Sequence, residues 1–207
     1  MLTATYILVA LSVEQASIRL SLISLQKYAQ GHVHLQRSMT LAQLQFACDS
    51  LHGLYETCHW RKIERYLIPA MREVVPQADR LLDELGAHNH AALAILNSLQ
   101  ARLDEGAARN DAQVGEVFDG IDAFCATLLR RLEKEEGELF AVARRSICGE
   151  AWFDIANQFL RHDAQIVETR RRQRPALTLA GFAPQRPAGK LEPAVVSVAA
   201  VAAILYS

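Results

Sequence analysis

The chain has 207 residues, enough for one domain with its own hydrophobic core and a short appendage. Hydrophobic residues make up 51% and charged residues 22%, and the formal net charge of -1 gives no electrostatic reason to expect a nucleic-acid partner. The four cysteines show no CxxC spacing, which favours reduced thiols over a disulfide framework or a zinc site. An apolar N-terminal run lacks the basic start and cleavage site of a secretion signal, so we expect a cytoplasmic protein.

Apolar residues recur at helical spacing along most of the chain, and strand patterns are nearly absent. The sequence therefore predicts an all-α fold, an up-down four-helix bundle with a short fifth helix. The predicted helices cover about residues 3–30, 40–72, 77–105, 111–146 and 150–172. Gly31 is expected to end the first helix, and Pro69 to distort the last turn of the second. The aromatic side chains of the fifth helix, Trp152, Phe153 and Phe159, are expected to cover one end of the bundle.

The C-terminal part changes in composition. Residues 1–172 are assigned to the bundle, residues 173–192 to a linker rich in Pro, Gly, Ala and Gln, and residues 193–207 to an apolar tail without charge. The tail has about 15 residues, fewer than the roughly 18 to 20 that a spanning helix needs. We expect it to dock on its own bundle, on a second subunit or on another protein, and membrane contact is disfavoured.

A polar residue interrupts each of the four apolar helix faces near one level. In the first helix the apolar face contains Gln15 as its only polar member: Leu8, Leu11, Gln15, Ile18, Leu22, Leu25 and Ala29. Asn89 interrupts the third face, Glu64 the second, and Arg131 with Glu135 the fourth. Four faces that turn polar at a common level predict a polar layer within the bundle core.

Three segments carry a resemblance to the hemerythrin-like proteins, also called HHE cation-binding domains. The first helix around Glu14-Gln15 resembles the family's opening Glu-His pair. The run Cys58-His59-Trp60-Arg61-Lys62-Ile63-Glu64 resembles its His-His-x-Lys-Glu-Glu motif, and Arg131 to Glu135 resembles its second His-x-x-x-Glu motif. The resemblance covers about residues 3–165.

In that family, imidazoles from each helix and two bridging carboxylates hold a di-iron centre. Carried over to this chain, the resemblance keeps both carboxylates, as Glu64 and Glu135. The four positions where the family has histidine carry Gln15, Trp60, Asn89 and Arg131, none of which is a good iron ligand.

Two interpretations follow. In the first, Arg131 compensates the two carboxylates, Gln15 and Asn89 donate amide hydrogens to them, and Trp60 fills the vacated volume, so that no cofactor is needed. In the second, the nearby His59, His88 and His90 join Glu64 and Glu135 to hold one metal ion, such as iron. On a helical wheel His88 lies about 60° and His90 about 140° from the apolar face.

No nucleophile arrangement, phosphate loop or dinucleotide fingerprint is present, so we expect a protein that is not an enzyme. The first interpretation predicts a metal-free interaction or sensory module, which associates with a partner or with itself through the tail. The alternative predicts an iron-binding protein that senses or carries oxygen or nitric oxide.

Overall fold

The structure, a computed structural model, describes residues 2–34, 41–104 and 111–173. These ranges are helical apart from short connections, and they contain no strand. The predicted all-α class is confirmed. The linker beyond residue 173 and the apolar tail lie outside the described residues.

Seven α-helices, two π-helical segments and one 3-10 turn make up the described ranges. The first half of the chain contains α1 (Leu2–His34), α2 (Leu41–His59), the π segment Ile63–Leu67, α3 (Ile68–Val74) and the 3-10 turn Pro76–Ala78. The second half contains α4 (Asp79–Asp104), α5 (Asp111–Lys134), the π segment Glu135–Leu139, α6 (Phe140–Ser146) and α7 (Gly149–Gln173). The four bundle helices are residues 2–34, 41–74, 79–104 and 111–146, where the segments around each π segment are counted together. Helix α7, with 25 residues, is shorter than each of them.

Two predicted features of the helices differ from the structure, the end of the first helix and the continuity of the second. Gly31 does not end α1, which continues to His34, because a glycine in a helix interior costs only about 1 kcal/mol and does not by itself stop the helix. The second helix is not continuous, because its α-helical geometry stops at His59. It resumes through the π segment Ile63–Leu67, and Pro69 lies in the first turn of α3, directly after that segment.

Hydrogen bonds between neighbouring helices fix their directions. Gln15 bonds Glu135 while Gln26 bonds Asp122, so α1 runs antiparallel to the fourth bundle helix. Helices α4 and α5 run antiparallel as well, with Lys134 paired to Glu84 and Arg102 paired to Glu116 at opposite ends. Close contacts of α1 with α2 and of α2 with α4 complete the ring of four.

The bundle core consists of two apolar clusters. One cluster draws on residues 18–29 of α1 and residues 117–132 of α5, and the other on residues 4–11 of α1 and residues 139–147, from the end of the second π segment onward. The buried polar side chains Gln15, Arg61 and Glu135 lie between the residues of these two clusters along the chain, and Arg131 directly precedes Leu132, the last residue of the first cluster. The core is therefore divided at the level that the sequence predicts to be polar.

Helix α7 packs against α1 and the first π segment over the second cluster. Trp152 and Phe159 are buried there, as expected, but Phe153 is 60% exposed, so the prediction that it helps to cover the bundle end is wrong. Phe153 follows Trp152 by one residue, and one step of about 100° turns it away from the bundle. Polar contacts add to the packing, with Lys62 Nζ 2.7 Å from Asp163 and Tyr66 Oη 3.1 Å from His162 Nδ1.

One helix in the described part of the chain, Leu2–Gly31, has the length and apolar composition that would allow it to cross a membrane. Of its most apolar 18-residue window, 33% is buried inside the bundle.

Candidate functional site

The centre of the polar layer is the carboxylate of Glu135, which is fully buried at the start of the second π segment. Arg61 forms a two-pronged contact with it, since Nη2 donates to Oε1 at 2.6 Å and Nη1 donates to Oε2 at 2.8 Å. The guanidinium plane and the carboxylate plane thus meet in the bidentate geometry that gives the strongest pairs of this type.

Two further donors reach the same carboxylate. Arg131, one helical turn before Glu135, donates from Nε to Oε1 at 2.8 Å. Gln15 donates from Nε2 to Oε2 at 2.6 Å across the bundle. Each oxygen of Glu135 therefore accepts two hydrogen bonds, which uses the roughly four lone-pair positions that a carboxylate offers.

Glu64 completes the charge balance. Its carboxylate, 19% exposed, accepts a hydrogen bond from Arg131 Nη2 and lies 3.7 Å from Arg61 Nη2. Two guanidinium groups thus face two carboxylates, and the layer is electrically neutral with all four groups ionised. Neutrality matters because an uncompensated buried charge costs several kcal/mol in an apolar core.

The pKa of Glu135 reflects these contacts. Burial by itself would raise it, but the charges of Arg61 and Arg131 and the hydrogen bonds from Arg61 and Gln15 lower the pKa below the ordinary value of a glutamate. Burial lowers the pKa of Arg131, and the like charge of Arg61 adds to this effect. A guanidinium group does not lose its proton at neutral pH, so both arginines remain charged.

The two carboxylates share a backbone feature. Glu64 lies in the π segment Ile63–Leu67, and Glu135 begins the π segment Glu135–Leu139. A π turn widens the helix and changes the direction of the side chains that follow, and such turns occur often at functional sites. Both carboxylates therefore come from π turns, on two different bundle helices.

Trp60 is not part of the layer, so the prediction that it fills core volume is wrong. Its side chain is 55% exposed, donates from Nε1 to Glu56 at 2.9 Å, and lies under the guanidinium of Arg65. The prediction assumed a continuous α-helix, in which residues 60 and 64 share a face. Because α2 ends at His59, the chain turns at Trp60 and the next residue, Arg61, enters the core instead.

Sequence reasoning missed Arg61, although one signal pointed to it. The predicted layer paired two carboxylates with a single cation, Arg131, and therefore carried one uncompensated negative charge. A second cation was required close to Glu64, and Arg61 lies three residues before it. Charge balance therefore predicts a second cation near Glu64, but it does not choose between Arg61, Lys62 and Arg65.

Asn89 is half-buried on α4, and it forms no hydrogen bond with either carboxylate. Within the described ranges, three buried polar atoms of the layer have no protein hydrogen-bond partner, namely Asn89 Oδ1, Gln15 Oε1 and Arg131 Nη1. The predicted donation from Asn89 to the carboxylates is therefore wrong, whereas that from Gln15 is present.

The neighbouring histidines do not enter the layer. His59 and His90 are exposed, and His88 is half-buried on α4. His59 stacks instead on Tyr55 and contacts the edge of Trp60. The part of the chain that the structure describes contains no group of three or more His, Cys, Asp or Glu side chains that could hold a metal ion.

The family comparison agrees with the fold. The family model described as "Hemerythrin HHE cation binding domain" matches residues 16–143, which is more than half of the chain. The chain belongs to the hemerythrin HHE family. The match includes Glu64, Asn89, Arg131 and Glu135, begins one residue after Gln15, and ends before α7. No curated protein and no solved structure was found to match the chain.

The donor set of this hemerythrin-like layer does not fit a di-iron centre. Iron in such bundles is held by imidazoles and carboxylates, whereas here guanidinium and amide groups surround Glu135. A guanidinium has no lone pair to give to a metal. Glu135 also has no free oxygen with which to bind iron, because both of its oxygens accept hydrogen bonds from Arg61, Arg131 and Gln15.

Three buried thiols of this hemerythrin-like chain, those of Cys48, Cys58 and Cys125, have raised pKa values. Cys58, next to the layer, is buried, and burial raises its pKa. Burial likewise raises the pKa of Cys125 to about 12 and that of Cys48 to about 11. Thiols with raised pKa values are poor nucleophiles and poor metal ligands, and these three pack as small apolar side chains.

Proposed function

We propose that this hemerythrin-like protein is a metal-independent helical module, non-enzymatic, that acts through interaction or sensing rather than through iron chemistry. The observation that carries the proposal is the surroundings of Glu135, whose two oxygens are taken by two guanidinium groups and one amide. In this arrangement Arg61 and Arg131 supply positive charge beside the carboxylates, where metal cations supply it in a di-iron layer.

Electrostatics supports the proposal. A divalent cation entering the layer meets two fixed positive charges and no free carboxylate oxygen on Glu135. To make room for the cation, Arg61 would have to break its bidentate contact with Glu135. Because Arg61 is 1% exposed, water would not replace the lost hydrogen bonds. Repulsion by the two guanidinium charges and the loss of the hydrogen bonds of Arg61 both disfavour a bound metal ion.

The layer also gives the bundle a specific register. Gln15, Arg61 and Arg131 come from three different parts of the chain, and they converge on one carboxylate. Sliding one helix by a single turn would leave charges buried without partners, so alternative packings of the four helices are disfavoured. A module with one fixed arrangement of helices presents a defined outer surface to a partner. We also propose that the protein is cytoplasmic.

The test is iron loading of the purified protein. Wild-type protein is incubated anaerobically with ferrous iron, desalted and analysed for iron, beside a variant that carries Gln15→His, Arg61→His, Asn89→His and Arg131→His. We expect no stoichiometric iron in the wild type and a gain of iron in the variant, up to about two per chain as in di-iron bundles. Wild-type protein that retains one or two irons per chain would overturn the proposal.

One observation favours a second candidate function. Glu64 and Glu135 remain at the positions that match the family's bridging carboxylates, and the matching family model is described as cation-binding. Under this alternative the protein binds iron and senses or carries oxygen or nitric oxide, with histidines such as His88 moving into the layer. Retention of iron by the wild type, lost on His88→Ala, would support it.

A further inference from the structure

Helix α1 is apolar on two opposite faces. Its core face packs into the bundle, while the opposite face carries five large apolar side chains that are each more than half exposed. These side chains, which we call the outer stripe, are Leu2, Tyr6, Val9, Val13 and Leu20. Their spacing of three, four and seven residues puts them on one side of the helix.

The outer stripe is a patch rather than a set of scattered residues. It extends over 18 residue steps, or about 27 Å of helix. No charged residue occurs between residues 2 and 13. Single exposed apolar residues are ordinary, but a row of five exposed apolar side chains, with no charge over residues 2–13, marks a surface that another apolar element covers.

Crossing a membrane does not account for the stripe. The apolar stretch Leu2–Gly31 includes Gln15, which donates at 2.6 Å to the buried Glu135. Moving α1 into a bilayer would break this bond and remove Ile7, Leu11 and the rest of its core face from the bundle. The core face is therefore committed to the bundle, and only the outer stripe is available for a partner.

We propose that residues 193–207 of the same chain cover the outer stripe. This segment contains no charged residue and consists mainly of Ala, Val, Ile and Leu, so it complements an uncharged apolar patch. As a helix it would measure about 22 Å, close to the length of the stripe. The proposal does not depend on whether the core layer binds metal.

The chain between the bundle and this segment is long enough to reach. Helix α7 packs against α1 and ends at Gln173; it is about 37 Å long, and the outer stripe is about 27 Å long. The roughly 20 residues up to Pro193 span more than 60 Å when extended. A tether of this length holds the segment at millimolar effective concentration, so even weak apolar contacts keep it docked.

Cross-linking of the full chain tests the position of the segment. In a Cys148→Ser background, Val9→Cys is combined with Ala199→Cys and treated with a short bis-maleimide. The control replaces Val9→Cys by Val74→Cys, because Val74 is a valine of similar exposure, 51% against 57%, on α3 instead of α1. We expect a cross-link within one chain at least about tenfold more efficient for the Val9 pair than for the Val74 pair.

Two cross-linking results would overturn the proposal. Equal yields from the two pairs would show that the segment does not prefer the stripe. Cross-links that form only between chains would assign the stripe to a second copy.

A second experiment measures hydrogen exchange of residues 193–207 in the full chain. We expect slowed exchange in the wild type, loss of the protection in Val9→Lys and Val13→Lys, and unchanged protection in Val74→Lys, with helical content preserved in all three. Unprotected amides in the wild type, or protection that survives both stripe variants, would refute docking. Flotation of wild-type protein with phosphatidylcholine vesicles that is lost in Val9→Lys would assign the stripe to a lipid surface instead and would equally overturn the proposal.

Discussion

Replacement of Arg61 by leucine tests the ion-pair layer at its strongest contact. Arg61 is 1% exposed and donates to both oxygens of Glu135, at 2.6 and 2.8 Å. Arg61→Leu leaves Glu135 and Glu64 facing Arg131 alone, so the layer acquires one buried negative charge. Breaking a buried pair from one side costs about 3 to 5 kcal/mol, and we expect a loss of unfolding free energy in this range.

The assay is urea denaturation followed by far-ultraviolet circular dichroism, with a double-mutant cycle. Arg61→Leu combined with Glu135→Leu leaves Arg131 paired with Glu64, so the double variant should be more stable than Arg61→Leu alone. Arg80→Leu removes an arginine that is 91% exposed in a surface pair, and it should change stability by less than about 0.5 kcal/mol. A loss below about 1 kcal/mol for Arg61→Leu, or an additive cycle, would refute the argument.

Three further predictions concern the layer and its neighbour Trp60. Arg131→Lys keeps the positive charge but loses the planar donor set that joins Glu64 to Glu135, so thermal melts should show a loss of about 1 to 3 kcal/mol; an unchanged melting temperature would contradict this. Because the pKa of Glu135 is lowered in the folded state, its charge stabilises the fold above its unfolded pKa of about 4.3, and this contribution disappears as the pH falls through the lower folded-state pKa. The stability advantage of wild type over Glu135→Gln should therefore shrink in acid, and an advantage that grows with acidity would have the wrong sign. Trp60→Ala should cost less than about 1 kcal/mol, against about 3 to 5 kcal/mol for the buried Trp152→Ala, and equal costs in urea denaturation would place Trp60 in the core after all.

Much of the fold follows from the sequence because periodicity survives in long helices. The apolar face of α1 and its single polar member, Gln15, are visible as steps of three and four residues, and the structure buries Gln15 against Glu135. Arg131 and Glu135 lie one helical turn apart, as the spacing predicts. The four-residue step between them is regular because α5 keeps α-helical geometry up to Lys134, and the π segment begins only at Glu135.

The remaining errors come from local backbone geometry and from helix edges. The identity of the second cation depends on where α2 breaks, and no residue pattern marks the change from α to π geometry between His59 and Ile63. A step of one residue there exchanges an exposed Trp60 for a buried Arg61. Phe153 differs for a simpler reason, because an aromatic residue at the edge of an amphipathic face can lie on either side of the buried boundary.

The most direct test of the central claim is a crystal structure of wild-type protein prepared with ferrous iron, with anomalous data collected at the iron absorption edge. Our account predicts no anomalous peak between the four helices, and Arg61 in bidentate contact with Glu135. One or two anomalous peaks with Glu64 and Glu135 as ligands, and Arg61 displaced from the layer, would contradict it.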